Sequence, residues 1–173
     1  MYKEDIFNRM ELLDKRVDLE FEGDIRFDLI IVGGSALVLR EYIIRATDDI
    51  DVLDFDNRLS KLMALYDMNG DVNAFIFSFP YNYQERAQEI WSGKRIKYFT
   101  ASLEDIAISK ICSNRDKDME DLEKIVDIID WDLLDKLAND EEELRLISMS
   151  DRTYSDFKAC YKRFKRRYHP CKD

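Results

Sequence analysis

The stretch Ile31-Val32-Gly33-Gly34-Ser35, continued to Thr47-Asp48-Asp49-Ile50-Asp51-Val52-Leu53, constrains the fold more than any other part of the chain. An apolar run meets two glycines and a serine, a short helix-like segment follows, and a second apolar run carries two carboxylates. Residues two apart on a strand project to one face, so Asp49 and Asp51 stand together while Ile50 and Val52 point the other way. Paired carboxylates repel unless a cation or a proton sits between them. A hard divalent cation such as Mg²⁺, with waters or phosphates as its other ligands, fits them. Gly33 and Gly34 let the backbone turn sharply and approach a ligand closely. Ser35 is expected to cap the next helix, whose first N–H groups favour an anion such as phosphate.

Around this unit the pattern alternates. Residues 3–22 read as an amphipathic helix, with Ile6, Met10, Leu13 and Val17 at helical spacing, then Leu19 or Phe21. Strands are expected near 27–33 and 49–55, with a helix near 35–44 between them. Asp56-Asn57 can cap a further helix reaching about residue 66. Asn69-Gly70 signals a turn. Residues 71–79, rich in aromatic and β-branched side chains, read as a third strand that Pro80 stops. A short helix over 83–91, a turn at Ser92-Gly93 and a strand over 96–99 follow. From Ser102 onward the pattern is helical. The expected class is α/β (α+β): a mixed sheet of about four strands flanked by helices, with a helical C-terminal part. We divide it into a core over 1–130 and a helical extension over 131–173.

Composition narrows the classes. A chain of 173 residues that is 46% hydrophobic with two prolines and five glycines is globular, most simply one domain, or one domain with a small helical appendage. No apolar run approaches a membrane span, and the charged start is unlike a signal peptide. Cys112, Cys160 and Cys171 form no Cys-x-x-Cys pair and read as reduced thiols of a cytoplasmic protein. The single histidine, His169, argues against zinc sites and histidine-based catalysis. Net charge is −10, yet residues 152–173 hold eight Lys/Arg against two Asp/Glu, so the remainder carries −16. An acidic body argues against broad nonspecific nucleic-acid binding there and leaves the tail as a polyanion contact. In that tail Tyr154, Phe157, Tyr161, Phe164 and Tyr168 form an aromatic helical stripe, with Lys158, Lys162, Lys165 and Arg166 on another side. The stripe reads as packed on the core.

A second constellation runs from Ser102 to Leu122. Ser102 and Asp105 resemble a capping box, and Leu103, Ile106, Ala107 and Ile111 form the buried side. Lys110 lies close to that side, where it either snorkels to water or points into a site and holds phosphate as a point charge. Asp118 and Asp121 are one helical turn apart and share a face.

A Gly-Ser turn followed by Asp-x-Asp resembles the nucleotidyltransferase superfamily (polymerase β-like fold). With Lys110, Arg115 and Lys117-Asp118-x-x-Asp121 added in that order, residues 28–130 resemble its AbiEii-like group, bacterial toxins of abortive-infection and toxin–antitoxin systems and their relatives. The resemblance implies that Gly33, Gly34, Ser35, Lys110 and Arg115 bind the nucleotide, that Asp49 and Asp51 hold Mg²⁺, and that Asp49, Asp51, Lys110 and Asp118 are catalytic. It implies attack on the α-phosphorus of an NTP, with transfer of a nucleoside monophosphate to an RNA such as tRNA or to a protein acceptor. A cognate antitoxin is an implied partner. The chain departs from the wider superfamily in one respect: residues 72–79 and 96–99 lack a third carboxylate, and Asp71 stands at the very start of the expected third strand. The alternative reading is a catalytically weak or inactive nucleotide-binding or regulatory module of the same fold.

Overall fold

The computed structural model describes residues 1–144 and 150–169. These form two compact units. The first comprises Met1–Ala74 and Arg86–Ala101, and the second comprises Phe75–Glu85 with the helices from Ser102 onward.

The first unit holds the sheet. Its elements in chain order are α1 (Lys3–Glu20), β1 (Phe27–Ile31), α2 (Gly33–Leu39), β2 (Ile50–Leu53), α3 (Ser60–Ala64) and β3 (Met68–Asn69). After the excursion through α4 (Tyr83–Arg86) come β4 (Gln88–Ser92) and β5 (Ile96–Thr100). The sheet has five strands in the order β3-β2-β1-β5-β4. β1 runs antiparallel to β2 and parallel to β5, and β2 runs parallel to β3. The expected mixed sheet is therefore present, with one strand more than the sequence indicates. Ile6, Met10, Leu13 and Val17 of α1 are buried, and α1 packs on α2 and α3. Leu19 lies on the solvent side at 81% exposure, which ends the apolar stripe at Val17.

Two expected elements differ. Residues 71–78 form 3₁₀ turns and not a strand. The Asn73 amide explains the change. Its Nδ2 donates to Val52 O at 3.1 Å and to Gly70 O at 2.8 Å, and its Oδ1 accepts from Asp54 N at 3.2 Å. A side chain that satisfies main-chain groups locally removes the need for a ladder. The second difference is β4: the segment read as a helix over 83–91 is helical only at its start, in α4, and its second half turns into this strand. Its antiparallel pairing with β5 overrides local helical preference, and Trp91 packs on Tyr98 with ring centroids 5.6 Å apart. The hairpin turn is fastened by Asp14 of α1. Its carboxylate accepts from the backbone N–H of Lys94 (3.0 Å), Arg95 (2.8 Å) and Ile96 (2.8 Å). A side chain on Gly93 would run into that carboxylate.

The second unit is helical: α5 (Leu103–Ser113), α6 (Asp116–Ile125), α7 (Trp131–Asn139) and α8 (Asp151–Tyr168). Ser102 caps α5 as expected, accepting from Asp105 N at 3.1 Å, and Asn114 ends it in the left-handed region at φ 51°. Phe157, Tyr161 and Phe164 of the aromatic stripe are buried, and Phe164 stacks on Trp131. Among the described residues no helix is long and apolar enough to cross a membrane. Cys171 lies outside the described residues.

Candidate functional site

The glycine turn follows directly from the end of β1. Val32 is extended and its N–H donates to Asp51 O at 3.0 Å, which ties the turn to β2. Gly33 then adopts φ +63°, a conformation that side chains on L-residues disfavour. A Cβ there would lie 3.0 Å from Asp51 Oδ2, so the carboxylate rests against the glycine backbone. At Gly34 a Cβ would collide with the guanidinium of Arg45. Consecutive glycines thus open room for an anionic and a cationic side chain respectively.

Ser35 does not cap the helix. The N-cap is Val32, and Ser35 lies inside the first turn of α2 at 1% exposure. Its Oγ donates to Val32 O at 2.9 Å. Because the chain bends at Gly33, both glycines enter the helix and the serine hydroxyl bonds back to the carbonyl three residues earlier. The N–H groups that open α2 belong to Gly33, Gly34 and Ser35, and a helix supplies no partner for these from within.

Asp49 immediately precedes β2 and is exposed, whereas Asp51 lies within β2 and is half-buried. Asp51 is in register with Asn69 of the adjacent β3. Asn69 Nδ2 donates to Asp49 Oδ2 at 3.0 Å, and its Oδ1 accepts from Asp71 N at 3.0 Å. A backbone N–H can only donate and a carboxylate can only accept, so both partners require the same amide orientation. Among the described residues no three of His, Cys, Asp and Glu group as a metal site. The oxygens offered by Asp49 and Asp51 are hard donors that suit Mg²⁺ with waters or phosphate as further ligands, so this donor set fits the implied ion.

Arg45 and Asn69 are not legible in the sequence as site residues. Arg45 falls between the two motifs with no pattern of its own, and Asn69 reads as half of a turn.

The remaining predicted residues belong to the second unit. Lys110 of α5 is 6% exposed, with Asp118 and Asp121 of α6 at 3% and 1%. Lys110 Nζ donates to Asp118 Oδ1 at 2.7 Å and to Asp121 Oδ2 at 2.9 Å. Arg115 Nε, on an exposed side chain, donates to Asp118 Oδ2 at 2.7 Å, and Ser113 Oγ also donates to Asp118. Burial pushes the Asp118 carboxyl up, but the hydrogen bond from Arg115 and the charge and hydrogen bond of Lys110 outweigh it and hold the group below the ordinary carboxylate value. Lys110 does not snorkel to water: its ammonium is enclosed by the carboxylates of Asp118 and Asp121. The structure thus gathers Gly33, Gly34, Asp49 and Asp51 with Arg45 and Asn69 in one unit, and Lys110, Arg115 and Asp118 with Asp121 in the other.

On α8, Lys158 donates to Ala138 O at 3.2 Å and to Asn139, and Lys165 pairs with Asp135. Lys158, Lys162 and Lys165 line a cavity of about 390 Å³ against α7.

Neither a curated protein nor a solved structure matches the chain. The model of one family, nucleotidyltransferase of unknown function (DUF6036), matches residues 5–169, and the chain belongs to that family.

Proposed function

We propose that this protein is a cytoplasmic, Mg²⁺-dependent nucleotidyltransferase that moves a nucleoside monophosphate from an NTP to a hydroxyl of an RNA, such as tRNA, or of a protein. The reading carries over to this chain the AbiEii-like role of a toxin neutralised by a cognate antitoxin. The observation that carries it is the pairing at the glycine turn, with the Asp51 carboxylate against Gly33 and the Arg45 guanidinium over Gly34.

The residues divide the work by charge. Asp49 and Asp51 hold the metal; Mg²⁺, when bound, neutralises charge developing on the phosphate oxygens. The backbone N–H groups of Gly33, Gly34 and Ser35, with Arg45, receive triphosphate oxygens. Ser35 contributes through its N–H, because its hydroxyl is engaged by Val32. The acceptor oxygen forms a bond to the α-phosphorus as the bond to the β-phosphate oxygen breaks. Pyrophosphate leaves, and the hydroxyl proton passes to solvent or a base. The excess of Lys and Arg along α8 supports an acceptor that carries phosphate.

The test is transfer of label from each of the four α-³²P NTPs to total RNA and to protein. Label should appear with wild type and disappear with Asp49→Ala and Asp51→Ala. Full labelling by both variants overturns the proposal. One observation favours the second reading, a nucleotide-binding module with little turnover: an amide, not a carboxylate, stands opposite Asp51 on β3. Tight NTP binding by calorimetry with no label on any acceptor would select it.

A further inference from the structure

We propose that Asn69 is the positioning residue of the cation seat: it holds Asp49 in place and, being neutral, makes the seat depend on nucleotide to fill. This rests on the reading of Asp49 and Asp51 as metal ligands. β3 is the strand next to β2, and Asn69 is the residue that faces Asp51 across that pair. A carboxylate at that position would complete a seat of three. The amide instead turns its N–H₂ toward Asp49 Oδ2 and its oxygen toward Asp71 N, so it meets Asp49 with a donor and brings no negative charge to the cation. Asp49 precedes β2 and is exposed, and without a partner its carboxylate would rotate freely. The bond from Asn69 pins one oxygen and leaves the other to a cation. Hydrogen bonds that orient a metal ligand in this way change metal affinity by about 10–100-fold. With two carboxylates, and with the Arg45 guanidinium at the neighbouring glycine, the seat attracts a bare divalent ion weakly. Triphosphate oxygens supply the missing charge and ligands, so metal and nucleotide bind together.

The experiment is Mn²⁺ titration followed by electron paramagnetic resonance, with and without a nonhydrolysable NTP. Wild type, Asn69→Ala, Asn69→Asp and Asp51→Ala are compared, with melting curves of each. Wild type should bind Mn²⁺ at least about tenfold more tightly with nucleotide. Asn69→Ala should weaken that binding about tenfold. Asn69→Asp keeps the acceptor for Asp71 N and exchanges the N–H₂ that pins Asp49 for a third carboxylate; the added charge and ligand outweigh the lost pin, so nucleotide-free binding should tighten. If Asn69→Ala does not fold, Asn69→Leu, matched in size and without the donor, takes its place. Wild-type Mn²⁺ affinity in the Asn69 variants, or wild-type binding that ignores nucleotide, overturns the inference while leaving the metal reading intact. Absence of Mn²⁺ binding to wild type under both conditions removes the metal reading as well, and Asp51→Ala gives the baseline for that outcome.

Discussion

The ammonium of Lys110 lies 2.7 Å from the Asp118 carboxylate, with both side chains almost wholly buried. Asp121 lies 2.9 Å away on the same ammonium, so one cation of α5 answers two carboxylates of α6. Removing Lys110 takes the buried cation from Asp121 and leaves Asp118 with its bonds from Arg115 and Ser113 alone, a loss of up to about 3–5 kcal/mol. Lys110→Met should therefore lower the stability of the protein by that amount in urea unfolding. Combining Lys110→Met with Asp118→Leu and Asp121→Leu should recover most of the loss, because the burden is the unpaired charge and not the missing attraction. A triple variant no more stable than Lys110→Met alone would show that the attraction itself carries the stability.

The same cluster makes stability depend on pH. Asp118 is held below its ordinary value of 3.8, so it favours the folded state at pH values above that figure. The contribution is lost as pH falls through the depressed folded value. Wild type and Asp118→Asn should differ by a constant amount in urea midpoint between pH 5 and 8. The difference should shrink as the pH drops below about 4.

Asp14 gives a third test. Its buried carboxylate accepts three backbone N–H groups at the β4–β5 turn, with Arg95 and Ile96 on Oδ1 and Lys94 on Oδ2. Asp14→Ala leaves all three without that acceptor and should cost on the order of 3 kcal/mol. Asp14→Asn can keep Oδ1 for two of them and should cost less. Thermal unfolding of the two variants checks the ranking, and the opposite ranking would show that the carboxylate's charge or packing, and not its acceptor geometry, decides.

How far these features are legible in the sequence follows from the range of the forces behind them. β1, the glycine turn and β2 are strong local patterns, and they form where expected. The third strand is misleading because composition at 71–78 favours a strand while one side chain, Asn73, satisfies the neighbouring backbone. β4 escapes a local reading because its partner β5 decides its conformation. Asp118 and Asp121 are legible as sharing a face, but not as sharing Lys110, since that depends on how α5 packs on α6. Arg45 and Asn69 act through contacts that no spacing announces.

The two glycines separate strain from space. Gly33 has φ +63°, and a Cβ would also press on Asp51, so Gly33→Ala should lose about 1–3 kcal/mol of stability. Gly34 has ordinary helical geometry, and the atom a Cβ would displace is the end of a flexible arginine. Gly34→Ala should therefore leave stability within about 0.5 kcal/mol of wild type. It should nonetheless weaken binding of a nonhydrolysable NTP about tenfold, as loss of one charged hydrogen bond does. Arg45→Ala should weaken it to the same extent, and the double variant should be no worse than either single one, because both act through the same guanidinium. Calorimetry on the three variants measures this, and additive losses would show that Gly34 serves the nucleotide independently of Arg45.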